Sequence, residues 1–247
     1  LIGISLTAQL LDGNVKIASE LKKSYGPFKC TFCHKDMFIK KGEIKIHHFA
    51  HYPDDENYCP YSTGESEEHL KAKMNLYNTA KERGIEVKVE DVLSEHVRAD
   101  VTFMTSMGKV AVEFQRSGMS VDKIVERMKN YGETRIPVIW VMLKGDEPEY
   151  FDITTKDIVF YKMYGNQLYT YYKNGLIDVW MWKYSRSRGK THREWFYIDR
   201  ISLFSFKKFK VYEIESVNDS GFPVTLLLPR SAILWREYLK RKREGGK

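Results

Sequence analysis

The chain has 247 residues, of which 43% are hydrophobic, 14% aromatic and 30% charged, enough apolar material for one large domain or two modest ones and too much for a disordered chain. No apolar run reaches the ~18 residues of a membrane span. Charged residues from Asp12 to Lys23 argue against a signal peptide, and three cysteines do not make a disulfide framework, so a soluble cytoplasmic protein is expected. The net charge of +7 is uneven: residues 1–150 carry 21 Lys/Arg against 23 Asp/Glu, and residues 151–247 carry 19 against 10 together with 20 of the 34 aromatics. A basic, aromatic-rich half suits an anionic polymer such as nucleic acid.

In chain order, Asp12-Gly13 predicts a turn between Ala8–Leu11 and Val15–Ala18. A segment dense in Cys and His follows, from Cys30 to Cys59. A helix is predicted from about Glu65 to Arg83, with Ser66 as N-cap, acidic residues in its first turn and Gly84 at its end. Its inward stripe holds Leu70, Met74 and Tyr77, beside His69, Lys73, Leu76 and Ala80. Strands are predicted over 85–90, 97–105 and 109–115, then a second helix from about Ser120 to Tyr131, closed by Gly132. The apolar run 136–143 reads as a buried strand. The order over 65–143 is therefore α-β-β-β-α-β, with a parallel crossover onto a mixed sheet. Beyond residue 150 the pattern is mostly β, with strands at 167–172, 177–182 and 195–198, a turn at Asn174-Gly175, a loop over 185–191 and a basic terminal helix at about 230–242.

Cys30-x2-Cys33 places two thiolates on one tight knuckle, half of a tetrahedral zinc site. His48-x2-His51 and Cys59 offer three further ligands. Spacing favours Cys30, Cys33, His48 and His51, and a set in which Cys59 replaces one histidine also works. Either site is structural, because a small segment with little core needs a staple. His34 and His47 are read as bystanders.

Asp100 and Glu113 lie on two strands joined by a short hairpin, and Glu113 and Gln115 share one strand face. Acids in apolar surroundings need a partner, and a divalent cation such as Mg²⁺ is one. Metal-assisted phosphodiester hydrolysis uses such a pair, plus a polar residue that orients the nucleophile. Gly64-x4-His69 brings a histidine to the start of the first helix, and Arg127 and Tyr131 share a stripe of the second, where Arg127 can grip a phosphate. The basic loop with Arg186, Arg188, Lys190 and Arg193 is the candidate nucleic-acid contact, and aromatics such as Tyr169, Tyr171, Tyr172, Trp180 and Trp182 suggest stacking on single strands.

Six short motifs occur in order over about residues 5–145: Cys-x2-Cys, His48–His51, Glu65–Lys73, Arg98–Val101, Glu113–Ser117 and an Arg-x3-Tyr helix. Together they resemble the competence protein CoiA family. The resemblance implies a restriction-endonuclease-like αβββαβ core of the PD-(D/E)xK type, an α+β fold at residues 63–148. A zinc-ribbon-like element would precede it at 1–62, and a mostly β, basic region would follow at 149–247. It implies Asp100, Glu113 and His69 as ligands of a catalytic Mg²⁺ or Mn²⁺, with Gln115 where the wider superfamily has lysine. It also implies action on incoming DNA during natural transformation, with the RecA recombinase as partner; the preference for single strands is suggested by the aromatics alone. Glutamine orients water but carries no charge. Lys73, Arg116 or Arg127 would have to supply that charge, or the fold would serve as a DNA-binding adaptor. A restriction-type nuclease outside competence is the third reading.

Overall fold

A computed structural model of the chain describes residues 4–53, 59, 65–106, 108–116, 119–143, 168–187, 190–204, 211–214 and 224–227. The N-terminal part is a six-stranded sheet of short strands: β1 (Ile4–Ser5), β2 (Thr7–Gln9), β3 (Val15–Ile17), β4 (Phe28–Lys29), β5 (Asp36–Lys40) and β6 (His48–His51), in the spatial order β1-β6-β5-β4-β2-β3. The expected turn is present: Thr7 pairs with Ile17 and Gln9 with Val15, and Gly13 takes the left-handed φ of +82° between them. This sheet has its own small core, in which Phe28, Met37 and Phe49 pack with Cys30 and Cys59.

The second part is a seven-stranded mixed sheet. Helix α1 (Glu67–Glu82) leads into a meander of β7 (Val87–Ser94), β8 (Val97–Thr105) and β9 (Gly108–Gln115). Helix α2 (Val121–Thr134) then crosses over to β10 (Val138–Met142), which runs parallel to β9. Ser66 caps α1 by accepting from the His69 amide, at 3.3 Å, and Gly84 closes it with a φ of +68°. Ser120 caps α2 in the same way through the Lys123 amide. The α-β-β-β-α-β order expected over 65–143 is the order observed. Every residue of β10 is buried, as its uninterrupted apolar run requires of a central strand covered on both faces.

Two expectations are corrected here. Gly132 does not end α2: the helix continues to Thr134, and Arg135 takes the left-handed turn at φ +56°. A glycine one turn before the end is tolerated when a later residue supplies the reversal. The expected 185–191 loop is also shorter. β12 (Leu176–Ser187) and β13 (Lys190–Ser202) pair up to Ser187 and Lys190.

β11 (Leu168–Lys173) runs parallel to β10 and pairs with β12 through the Asn174-Gly175 turn, in which both residues have positive φ. Strands β11–β13 thus continue the same sheet, in the order β13-β12-β11-β10-β9-β8-β7. β11 pairs only with residues 176–180 of β12. Among the described residues, the distal halves of β12 and β13 therefore pair only with each other and form a two-stranded arm. A small sheet of β14 (Val211–Ile214) and β15 (Val224–Leu227) follows. The expected boundary near 148 and the terminal helix at 230–242 lie outside the described residues. Among the described residues, no helix is long and apolar enough to cross a membrane.

Leu6 and Ile17 of the N-terminal sheet belong to the core of the larger sheet, with Leu70, Leu76, Val101, Phe114 and Trp140. The Tyr77 hydroxyl on α1 also donates to Glu20 at 3.2 Å. The N-terminal sheet is therefore packed against α1, the helix that carries His69 and Lys73.

Candidate active site and metal centre

Antiparallel pairing of β8 and β9 joins Val101 to Val112 and Thr102 to Ala111. One step further along, this register sets Asp100 opposite Glu113. Both carboxyls are buried, and the Asp100 charge acts on Glu113. Asp100 Oδ2 accepts from the Phe114 amide at 2.8 Å and from His69 Nε2 at 2.8 Å, and Oδ1 faces Lys73 Nζ at 3.0 Å. Glu113 is held from the other helix: the Tyr131 hydroxyl donates to Oε1, and Arg127 Nη2 lies 2.8 Å from Oε2. Arg127 also stacks on the Trp140 ring, 4.6 Å from its centroid. Residues from α1 and α2 thus converge on one acid pair. Of the expected site, Asp100, Glu113, His69, Arg127 and Tyr131 are brought together. Gln115 closes β9 two residues on, where its carbonyl accepts from the Leu143 amide at 2.8 Å.

The two acids titrate in opposite directions. Burial opposes the charged form of Asp100, but His69, Lys73 and the Phe114 amide outweigh it and hold this carboxyl well below the usual range. Burial pushes Glu113 up to about 7, against the pull of Arg127 and with the Asp100 charge adding to the rise. Two buried carboxyls at paired positions, one of them pushed up by burial and by the charge of the other, are a demand for positive charge at that point. A hard divalent cation with oxygen ligands meets the same demand, so the donor set fits Mg²⁺ or Mn²⁺.

Lys73 is one of the three cations expected to supply the charge that Gln115 lacks. Its side chain is enclosed, between Glu65 at 2.7 Å, Asp100 at 3.0 Å and Glu90 Oε1 at 3.4 Å. Burial alone would lower its pKa, and the three carboxylates raise it instead. Arg116 is exposed and pairs with Glu68 at 2.7 Å. Arg127 is thus the cation of the three that sits on the acid pair and keeps partial exposure.

Glu65 and Glu90 are site residues that sequence reasoning misses. Glu65 lies one helical turn before His69 and two before Lys73, a spacing that could have flagged it. Glu90 carries no such signal, because its partners are distant. Its Oε2 accepts from the Leu6 and Thr7 amides at 3.0 and 3.1 Å, from Thr7 Oγ1 at 2.9 Å and from the Ser5 hydroxyl. Burial would raise its pKa, but Arg98, Lys73 and these donors hold it at about 2.

In the N-terminal sheet, ligand atoms of Cys30, Cys33, His51 and Cys59 lie within 4.8 Å of one another. His48 is outside this group, which corrects the spacing-favoured set. Residues three apart on a strand face opposite sides, and His48 Nδ1 bonds to the Ile46 carbonyl at 2.8 Å. The knuckle is built by the Cys30 amide on the Lys35 carbonyl, the His34 amide on the Cys30 carbonyl and His34 at φ +59°. The Phe32 amide points at Cys30 Sγ at 3.5 Å. Cys59 lowers the Cys30 thiol to about 4, while burial raises that of Cys33. His51 Nδ1 is buried with no hydrogen-bond partner, and its Nε2 faces Cys33 Sγ at 3.3 Å. Three thiols and an imidazole converging this closely can hold a structural metal such as zinc.

The remaining expectations concern nucleic acid. Arg186, Lys190 and Arg193 lie on the distal arm of β12–β13, where the backbone alone is described, and Arg188 lies outside the described residues. Of the aromatics, Tyr169 is in the core, the Tyr171 hydroxyl donates to Asn75 and Trp180 donates to Thr170. Tyr172 is exposed and lies under the Arg200 guanidinium, 3.4 Å from its ring centroid. The side chain of Trp182 lies outside the described residues.

A buried acid pair on a mixed sheet, approached by two helices and joined to a Cys3His element that could hold a metal, fits a nuclease-like protein. Residues 65–184 match the family model described as competence protein CoiA, nuclease-like domain, and residues 12–62 match competence protein CoiA, N-terminal domain. The chain belongs to the competence protein CoiA family. No curated protein and no solved structure matches it. The nuclease-like match runs past residue 145 to include β11 and most of β12, in keeping with the continuous sheet.

Purified protein is expected to carry about one equivalent of zinc, Cys59→Ser to lose it and His48→Ala to retain it, as read by elemental analysis. Retention by Cys59→Ser with loss by His48→Ala would restore the ligand set that spacing favours. Glu90 provides a pH test. Its folded pKa of about 2 lies below the ordinary 4.5, so its stabilisation is full above pH 4.5 and is lost as pH falls towards 2. The loss amounts to about 3 kcal/mol across that window. Urea unfolding between pH 5 and pH 2 should therefore steepen in wild type relative to Glu90→Gln. Parallel pH profiles would contradict it.

Proposed function

We propose that the chain is a divalent-metal-dependent DNA phosphodiesterase that processes incoming DNA in natural transformation, with a PD-(D/E)xK-type site at Asp100 and Glu113. The observation that carries this reading is the placement of those two buried carboxyls at neighbouring positions of β8 and β9, with His69 on one and Tyr131 and Arg127 on the other. Membership in a competence family supports the setting. Incoming single-stranded DNA and the RecA recombinase are the partners this setting suggests.

A bound Mg²⁺ or Mn²⁺ would stabilise charge on the phosphate and acidify a water, held by Asp100, Glu113 and His69. The chain's own residues supply the rest. The Phe114 amide and Lys73 keep Asp100 ionised and aimed. Tyr131 orients Glu113. Arg127, braced on Trp140, carries the positive charge that Gln115 lacks and can face an anionic phosphate. Gln115, on the Glu113 side of β9, orients the attacking water through its amide. The absence of lysine at Gln115 is the one observation that favours a second reading, a DNA-binding adaptor without cleavage.

Purified protein incubated with labelled single- and double-stranded DNA separates the two. Cleavage is expected with Mg²⁺ or Mn²⁺, abolished by EDTA and reduced at least about a hundredfold in Asp100→Ala/Glu113→Ala. DNA binding with no cleavage, unchanged in the double variant, would establish the adaptor instead. Arg186→Glu/Arg193→Glu on the distal arm should weaken DNA binding and flatten its dependence on salt. The log–log slope should fall by about 0.7 for each single-strand phosphate that the variant no longer neutralises. An unchanged slope would remove the arm from the interface.

A further inference from the structure

We infer that Glu90 is a positioning residue for Asp100, through which the N-terminal sheet tunes the affinity of the acid pair for a divalent cation; the inference rests on the nuclease reading of that pair. Glu90 adopts a φ of +52° within β7, a conformation that side chains other than glycine avoid. One result is that Val89 and Glu90 are both buried, against the alternation of a strand. The carboxylate then spans two parts of the protein. Its Oε2 collects donors from Ser5, Leu6 and Thr7, all from β1 and β2 and the residue between them. Its Oε1 faces Lys73, which in turn faces Asp100 Oδ1 and Glu65.

The consequence is a divided charge. The Lys73 ammonium is shared among three carboxylates, so its hold on Asp100 depends on what the other two take. Arg98 and Lys73, with the donors of Ser5 and Leu6, keep Glu90 ionised against its burial, and the donors of Ser5, Leu6 and Thr7 fix it in place. If Glu90 becomes neutral, the ammonium concentrates on Asp100, whose oxygen then offers less negative charge to a cation. A residue that only fastened the N-terminal sheet to α1 would change stability and leave cation affinity alone.

The test is Mn²⁺ binding to the zinc-loaded full chain by calorimetry, well below the unfolding temperature, with folding verified by circular dichroism. Wild type should bind, and Asp100→Ala should lose binding. Glu90→Gln should weaken the Kd about tenfold, the usual size for a group that supports a metal ligand. Glu90→Asp keeps the charge and shortens the reach, and should weaken it about threefold by the same logic. It carries the test if the glutamine variant does not fold. Folded Glu90 variants with a Kd within about twofold of wild type would overturn the tuning role and leave the acid pair intact as a metal site. Failure of wild type itself to bind Mn²⁺ would overturn the nuclease reading and this inference with it.

Discussion

A single buried ammonium, that of Lys73, holds the centre of the molecule together. An isolated charge in that position would cost several kcal/mol, and its presence compels the elements around it to bring carboxylates. Glu65 comes from the residues just before α1, Glu90 from β7 and Asp100 from β8. Arg98, 3.8 Å from Glu65, extends the cluster. The same helix face that carries Lys73 carries His69 one turn earlier, so docking α1 by its ammonium also delivers the imidazole to Asp100. Packing and chemistry therefore share one set of residues.

From that centre the structure builds outward in two directions. Towards the sheet, β8 and β9 set Asp100 beside Glu113, and the parallel crossover through α2 returns Arg127 and Tyr131 to the far side of the pair. Environment separates the two acids: one faces His69, Lys73 and the Phe114 amide, and the other is buried with the Arg127 guanidinium, the Tyr131 hydroxyl and the neighbouring Asp100 charge. Towards the N-terminus, Glu90 fastens the small sheet, which has a modest core of its own and a Cys3His cluster that could hold a metal. The N-terminal sheet and the acid pair are thus joined by one polar network, through Thr7, Glu90, Lys73 and Asp100.

Local patterns carry far in this sequence. Serine before the first turn locates both helices, the apolar run at 136–143 locates the central strand, and alternation locates Asp100 and Glu113 on paired strands. The misjudged features depend on something beyond the local window. Gly132 looks like a helix stop until Arg135 takes the left-handed position. His48 and His51 look like a ligand pair until the strand between them turns one away, and Cys59 replaces it from further along the chain. Lys73 looks like a free cation until three acids close around it. Glu90 is illegible because its donors, two backbone amides and two hydroxyls, lie some eighty residues away, a distance that no local spacing reveals. The family motifs supply what spacing cannot, a reason to read two ordinary strand acids as a pair.

The most direct test of the central claim is to crystallise the full chain with manganese and collect anomalous diffraction. An ion ligated by Asp100 and Glu113, with the Lys73 cluster intact beneath it, is the expected result. A crystal soaked in manganese that shows no ion at the two carboxyls would contradict it.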